Sequence, residues 1–179
     1  MKKFIFLDLD GVLNHEAWFV SEQSRVNHTN DTDSWVGRYF DPNKVTLLNQ
    51  LTSLTDAKIV FSSSHRHHFE TLKELKSAFK VAGIDAEMIG VTPKLYFIAQ
   101  DNIEYHYSVP RGCEIKAWFE LNKGILGNKL TKVPYVILDD DSDMLYWQRN
   151  NFVHLDSKFG LTQENVDKAI EILNEANNN

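Results

Sequence analysis

The stretch KKFIFLDLDGVLN, Lys2 to Asn14, carries a short apolar run, Phe4 to Leu7, into Asp8 and Asp10 and then into a glycine turn. Strand side chains alternate between faces, so the spacing predicts that the two carboxylates project together where the chain leaves the core. Like charges held that close repel. A cation between them, or a proton kept on one of them, relieves the repulsion, and both arrangements serve chemistry. The competing reading is a turn whose acids face water, since Asp before Gly is common turn chemistry. An EF-hand does not fit, because Val12 and Leu13 stand where such a loop needs further oxygen ligands.

Outward from this segment, short apolar runs alternate with helical patterns. The runs are IFL near residue 5, AKIVF ending at Phe61, AEMI ending at Ile89 and PYVIL ending at Leu138, and they read as strands buried on both faces. Asp41 and Pro42 supply a cap and a first-turn proline, after which Val45, Leu48, Leu51 and Leu54 recur at helical spacing. A second helix is expected from about His65 to Ala82, with Phe69, Leu72, Leu75 and Phe79 inward and Gly83 closing it. A third is expected over Glu114 to Leu121. A fourth follows Thr162, with Val166, Ala169, Ile170 and Leu173 on one stripe ahead of the polar NEANNN tail. Strands alternating with helices imply a doubly wound, Rossmann-like parallel α/β sheet with right-handed crossovers.

Length and composition bound the possibilities. A chain of 179 residues with 42% hydrophobic content suffices for one core, so a single domain over 1–179 is expected. The formal charge of -6 argues against a broad basic surface for duplex DNA, while leaving room for a local phosphate site. Cys113 is the single cysteine, which excludes an intramolecular disulfide and suits a reducing compartment. Lys2 and Lys3 before the apolar run mimic a signal peptide, but Asp8 and Asp10 cut that run short. No other run approaches a membrane span, so a soluble cytoplasmic protein without a membrane partner is the expectation.

Two stretches interrupt the alternation: residues 14–40, long and polar, and residues 92–111, with Tyr96, Phe97, Tyr105, His106 and Tyr107 between Pro93 and Pro110. Long insertions in compact domains are usually lids or disordered loops, and the first follows directly on the Asp pair, which favours a lid.

Two further strand ends carry chemistry. In AKIVFSSSHR a buried strand runs into Ser62, Ser63 and Ser64, with Arg66 just beyond. Ligands of open α/β sheets bind at the carboxyl ends of strands, and hydroxyls beside a helix start suit a phosphate. Ser62, the first hydroxyl off the strand, is the favoured functional residue, whereas Ser64 reads equally well as a helix cap. In VPYVILDDDSDML an apolar strand ends in Asp139, Asp140, Asp141 and Asp143, at the same sheet edge as Asp8 and Asp10. A solvated charge run is the alternative there. A hard cation such as Mg²⁺ would neutralise the cluster, using one or two carboxylates and keeping waters for substrate oxygens. His65, His67 and His68 point in different directions on a helix and read as a solvated helix start rather than a metal site. Cys113 reads as an inert thiol, and Trp118 and Phe119 as core.

With these three strand ends in view, the chain resembles the haloacid dehalogenase (HAD) superfamily of phosphohydrolases. The first motif is DLDGVL, the second is the strand-end Ser62 and the fourth is LDDDSDM. FSSSHR, RGCEIKAWF and ILDDDSDM look closest to the HAD-domain subgroup predicted in Swiss Army Knife RNA repair proteins. For the third motif, a cation, Lys94, Arg111 and Lys116 compete, and the RGxEI string favours Arg111. His65 is a departure, since relatives more often carry Trp there.

The resemblance implies that Asp8 is a nucleophile forming an aspartyl-phosphate and that Asp10 is the general acid and base. It implies Mg²⁺ on Asp8, the backbone carbonyl of Asp10 and Asp139, with Asp140 or Asp143 in support. Ser62 and Arg111 would meet the phosphoryl oxygens beside the cation, with Ser63, Arg66 and Lys94 binding substrate. The expected substrate is a phosphate monoester on a nucleotide or RNA end, stacked on the aromatics of residues 92–111. A small phosphorylated metabolite is the alternative, as is a non-catalytic module that binds Mg²⁺ and a phospho-ligand. Dehalogenation is disfavoured, because displacing halide from carbon needs no cation on the substrate.

Overall fold

The computed structural model describes residues 2–21, 40–98, 106–126 and 133–175. In chain order they form β1 (Phe4–Leu7), α1 (Glu16–Phe19), α2 (Pro42–Thr55), β2 (Lys58–Phe61), a 3₁₀ turn (Ser64–His68), α3 (Leu72–Val81) and β3 (Met88–Val91). A short pair, β4 (Tyr96–Ile98) and β5 (His106–Ser108), precedes α4 (Arg111–Leu121), α5 (Lys123–Leu126) and β6 (Tyr135–Asp139). A second 3₁₀ turn (Tyr146–Asn151), β7 (Phe152–His154) and α6 (Gln163–Glu175) complete the order.

The main sheet has five strands in the order β3-β2-β1-β6-β7, all parallel, which is the doubly wound Rossmann-like architecture. β1 lies at its centre because both of its faces are apolar. Ile5 and Leu7 pack with Leu48, Leu51, Val166 and Leu173 on one side, and Phe4 and Phe6 with Ile115, Trp118 and Ile137 on the other. Burying each such side chain contributes about 1.5–3 kcal/mol. Trp118 meets Phe4 and Phe6 edge-on at 5.4 and 5.3 Å, which fixes α4 against the sheet. Leu7 pairs in register with both Phe61 and Leu138, so Asp8, Ser62 and Asp139 emerge at one edge of the sheet. That shared edge positions the site.

Local boundaries differ from the sequence pattern for identifiable reasons. α2 starts where expected, with the Asp41 carboxylate accepting the Asn43 N–H at 2.9 Å, but Leu54 is exposed. Nine residues beyond Val45 at 3.6 per turn place Leu54 about half a turn from it, and Thr52 and Thr55 take the inward positions. The helix expected from His65 to Ala82 is two elements. Ser63 caps the 3₁₀ turn through the His65 N–H, and Thr71 caps α3 through the Glu74 N–H, so side-chain acceptors break the run between them. Leu72, expected inward, is the first residue of α3 and is exposed. Gly83 closes this segment at φ +82°, the left-handed conformation that suits glycine.

The third expected helix begins at Arg111 instead of Glu114, because the Asp143 carboxylate accepts the Arg111 N–H at 2.7 Å and holds the first turn. β3 runs past Ile89 to Val91. β7 escaped the sequence reading because three residues, Phe152–His154, carry no periodicity. The antiparallel β4–β5 pair, Tyr96 opposite Ser108, forms part of residues 92–111. Tyr105 lies outside the described residues, and so does the span 22–39 on which most of the lid expectation falls. Among the described residues, no helix is long and apolar enough to cross a membrane.

Candidate active site

Asp8 follows β1 and Asp139 ends the adjacent β6 at the shared edge, and both are buried; Asp140, the next residue, is half-buried. One oxygen from each of the three carboxylates lies within 4.8 Å of the others. Burial pushes the Asp8 carboxyl upward, against the Ser63 hydroxyl that hydrogen-bonds it and the charge of Arg111. Asp139 is pushed up to about 8, first by burial and then by the charge of Asp8. Asp140 is raised as well, by burial and by Asp141 and Asp10. Asp8 Oδ1 and Asp139 Oδ2 are buried without a hydrogen-bond partner. Desolvated, mutually repelling oxygens with free lone pairs are a donor set suited to a hard divalent cation. Among the described residues, no His or Cys joins such a group.

Gly11 makes the approach of Asp140 possible. Its φ of +65° is left-handed, and a Cβ there would collide with the Asp140 carboxyl. Both constraints demand glycine.

Asp10 stands apart from the three carboxylates. β1 ends at Leu7, so strand alternation no longer governs Asp10, and its carboxyl group is largely exposed. It accepts the Asn14 amide N–H at 2.8 Å, and its other oxygen meets His65 Nε2 at 2.7 Å. It remains near enough for its charge to add to the upward pressure on Asp8. Asp143 is also outside the group. It lines the same cleft, with Oδ2 occupied by the N-terminus of α4.

The serines divide by partner. Ser62 is buried with its hydroxyl accepting from Thr92 Oγ1 at 3.4 Å. Ser63 is the hydroxyl that reaches Asp8. Ser63, the second hydroxyl off the strand, thus contacts the candidate nucleophile, and Ser62, the first and the one the sequence reading favoured, stands next to it in the chain.

A cleft of about 460 Å³ joins these groups, lined by the acids Asp8, Asp139 and Asp140 together with the cations Arg66, Lys94 and Arg111. Arg111 Nε lies 3.6 Å from Asp139 Oδ2, and Arg66 Nη1 donates to the Ser63 carbonyl at 2.6 Å. Lys116, the third candidate cation, is exposed, pairs with Glu120 at 3.9 Å and does not line the cleft. Glu114 escaped the sequence reading as a site residue. It is buried between Arg66 and Arg111 and accepts from both, at 2.5 and 3.0 Å. The Arg111-x-x-Glu114 spacing, one helical turn, was the available signal.

No curated protein and no solved structure matches the chain. A family model, described as the HAD domain in Swiss Army Knife RNA repair proteins, matches residues 4–166, from the first residue of β1 into α6. That span takes in all three strand ends of the cleft, and the family implies phosphohydrolase-type chemistry in general. The chain belongs to this family of HAD domains.

Proposed function

We propose that the chain is a Mg²⁺-dependent phosphohydrolase that acts through an aspartyl-phosphate on a phosphate monoester, borne by a nucleotide or an RNA end. One observation carries this reading: the buried oxygen of Asp8, which has no hydrogen-bond partner, shares a cleft with Asp139, Asp140 and two arginines. Asp8, Asp139 and Asp140 fit a divalent cation, with the Asp10 carbonyl as the further ligand that the family resemblance implies. When bound, Mg²⁺ supplies positive charge that favours the ionised carboxylates and offsets charge on the phosphoryl oxygens.

The chain's own residues carry the steps. An Asp8 carboxylate oxygen attacks phosphorus, and the bond from phosphorus to the leaving oxygen breaks as Asp10 delivers its proton to that oxygen. Asp10, now a carboxylate, takes a proton from water, and the hydroxide oxygen bonds to phosphorus as the bond to Asp8 breaks. His65 and Asn14 hold the Asp10 carboxyl group in one orientation between these two roles. Arg66, Arg111 and the Ser63 hydroxyl meet the phosphoryl oxygens, with Lys94 at the cleft wall for the remainder of the substrate.

The nucleotide or RNA-end assignment is supported by the family's description and by the aromatic content of residues 92–111, since aromatic faces stack on bases at about 1–3 kcal/mol each. Cys113 as the single cysteine supports a reducing, cytoplasmic setting. The test compares 3′-phosphorylated oligoribonucleotides, mononucleotides and sugar phosphates at fixed salt, with and without Mg²⁺. Turnover confined to Mg²⁺ and fastest on the oligoribonucleotide is expected, with Tyr105→Ala and Tyr107→Ala removing the preference. A preference for sugar phosphates, unchanged by those variants, contradicts the substrate class and leaves the reaction class standing.

A further inference from the structure

We infer that Glu114 is the positioning residue of the phosphate subsite: one buried carboxylate sets Arg66 and Arg111 as a paired clamp for a single phosphoryl group. The inference rests on the phosphohydrolase reading and adds to it a residue that touches neither substrate nor cation.

Three contacts converge on Glu114. Oε1 accepts from Arg66 Nη2 at 2.5 Å and from the Leu95 N–H at 3.3 Å, and Oε2 accepts from Arg111 Nη1 at 3.0 Å. The elements involved are far apart in sequence: the 3₁₀ turn after β2, the segment before β4 and the first turn of α4. The arginines have every electrostatic reason to separate. Burial and the charge of Arg111 both press on the Arg66 guanidinium, and the charge of Glu114 is the largest force holding it ionised. A carboxylate shared between them turns two repelling cations into a rigid unit of net charge +1.

The unit is not saturated. Arg66 Nε is buried without a hydrogen-bond acceptor in a side chain only 8% exposed, and Arg111 Nε is buried with no acceptor at hydrogen-bond distance, facing Asp139 Oδ2 as an ion pair at 3.6 Å. Such donors, left unmet inside a protein, mark a site whose acceptor arrives from outside. The group that matches two forks in one cleft is a tetrahedral anion with several terminal oxygens. A phosphate monoester presents three such oxygens and a diester two. The clamp therefore favours a terminal phosphate over an internal linkage. Glu114 also ties residue 95 to the clamp, so the base of residues 92–111 and the phosphate subsite share one anchor.

The test uses the full chain with saturating Mg²⁺, inorganic phosphate as ligand and p-nitrophenyl phosphate as substrate. Glu114→Gln keeps the side-chain shape but supports only one arginine as acceptor. The expected result is phosphate affinity and KM weakened by about tenfold or more, the scale of one charge-assisted contact, with Mg²⁺ affinity of the phosphate-free protein within about twofold of wild type. Glu114→Asp keeps the charge but shortens the reach, and serves if the Gln variant does not fold; the same split is expected. In a double-mutant cycle with Arg111→Lys, the two losses should fall well short of additive, since Glu114 acts through the arginine. Unchanged phosphate affinity, Mg²⁺ affinity falling in step with phosphate affinity, or additive losses in the cycle each overturn the inference. Wild-type protein that does not bind phosphate overturns it as well. Phosphate binding without turnover of any phosphoester contradicts the hydrolase reading alone and leaves the clamp to be judged on affinity.

Discussion

The two walls of the cleft are built on opposite electrostatic plans. On the acidic wall, Asp8, Asp139 and Asp140 crowd together, Asp8 Oδ1 and Asp139 Oδ2 are buried without a hydrogen-bond partner, and all three carboxyls are raised above the usual range by burial first. On the basic wall, Arg66 and Arg111 are brought together by a counter-charge from the chain itself, Glu114. The difference teaches what each wall lacks. On the proposed reading the acidic wall calls for a cation, while the basic wall is assembled beforehand and calls for an anion. A cation and a phosphate together would complete both.

The largest effect is expected where the acidic wall meets the reaction. Asp8→Asn should abolish measurable turnover while leaving the fold intact by circular dichroism. Asp10→Asn should slow both chemical steps, and the double variant should be little worse than either single one, because residues that act as a unit are not additive. Wild-type turnover by Asp8→Asn would remove the nucleophile from the account.

Next in size is a structural contrast between the walls. Arg66→Met leaves the buried Glu114 one partner short and should destabilise the protein by about 3–5 kcal/mol in urea denaturation, the usual scale for a broken buried pair. Asp139→Asn should do the reverse in the absence of Mg²⁺, raising stability by removing a charge that burial opposes, while Mg²⁺ binding is lost. Equal losses from both variants would erase the distinction between the walls. Gly11→Ala should cost about 1–3 kcal/mol from its left-handed backbone, and weaken Mg²⁺ binding by displacing Asp140.

A further expected effect is on pH. The Asp139 pKa rises from 3.8 in the unfolded chain to about 8 in the folded one, so the native state holds the extra proton between those values. Stability of the metal-free protein should therefore fall as pH rises from about 4 to about 8, and stop falling beyond it. Asp139→Asn removes this slope, and saturating Mg²⁺ should flatten it, with protons released on binding. A melting temperature that rises through this window in the metal-free protein, and not in Asp139→Asn, would contradict the sign.

Much of this arrangement was legible in the sequence where strands are buried on both faces. Phe4–Leu7, Lys58–Phe61 and Tyr135–Asp139 read as apolar runs because helices cover both sides, and the acids and hydroxyls that end them identified one sheet edge. What failed to show depended on contacts distant in sequence. The surroundings of Ser62 and Ser63 come from Thr92, thirty residues on, and from the capped 3₁₀ turn. Arg111 opens α4 because Asp143, thirty-two residues later, receives its N–H. Glu114 looked like one more helical acid until Arg66 and Leu95 arrived beside it from other elements. Strand periodicity extended past Leu7 assigned Asp10 to the carboxylate group, whereas the turn at Gly11 delivers it to His65 and Asn14.

The central claim is that Asp8 takes the phosphoryl group, and acid-quenched mass spectrometry of the protein mixed with Mg²⁺ and a turned-over phosphoester tests it most directly. A phosphoryl mass increment on the peptide containing Asp8, absent in Asp8→Asn and absent without Mg²⁺, is the predicted result. Full turnover with no increment on that peptide at any quench time, or an equal increment in Asp8→Asn, would contradict it.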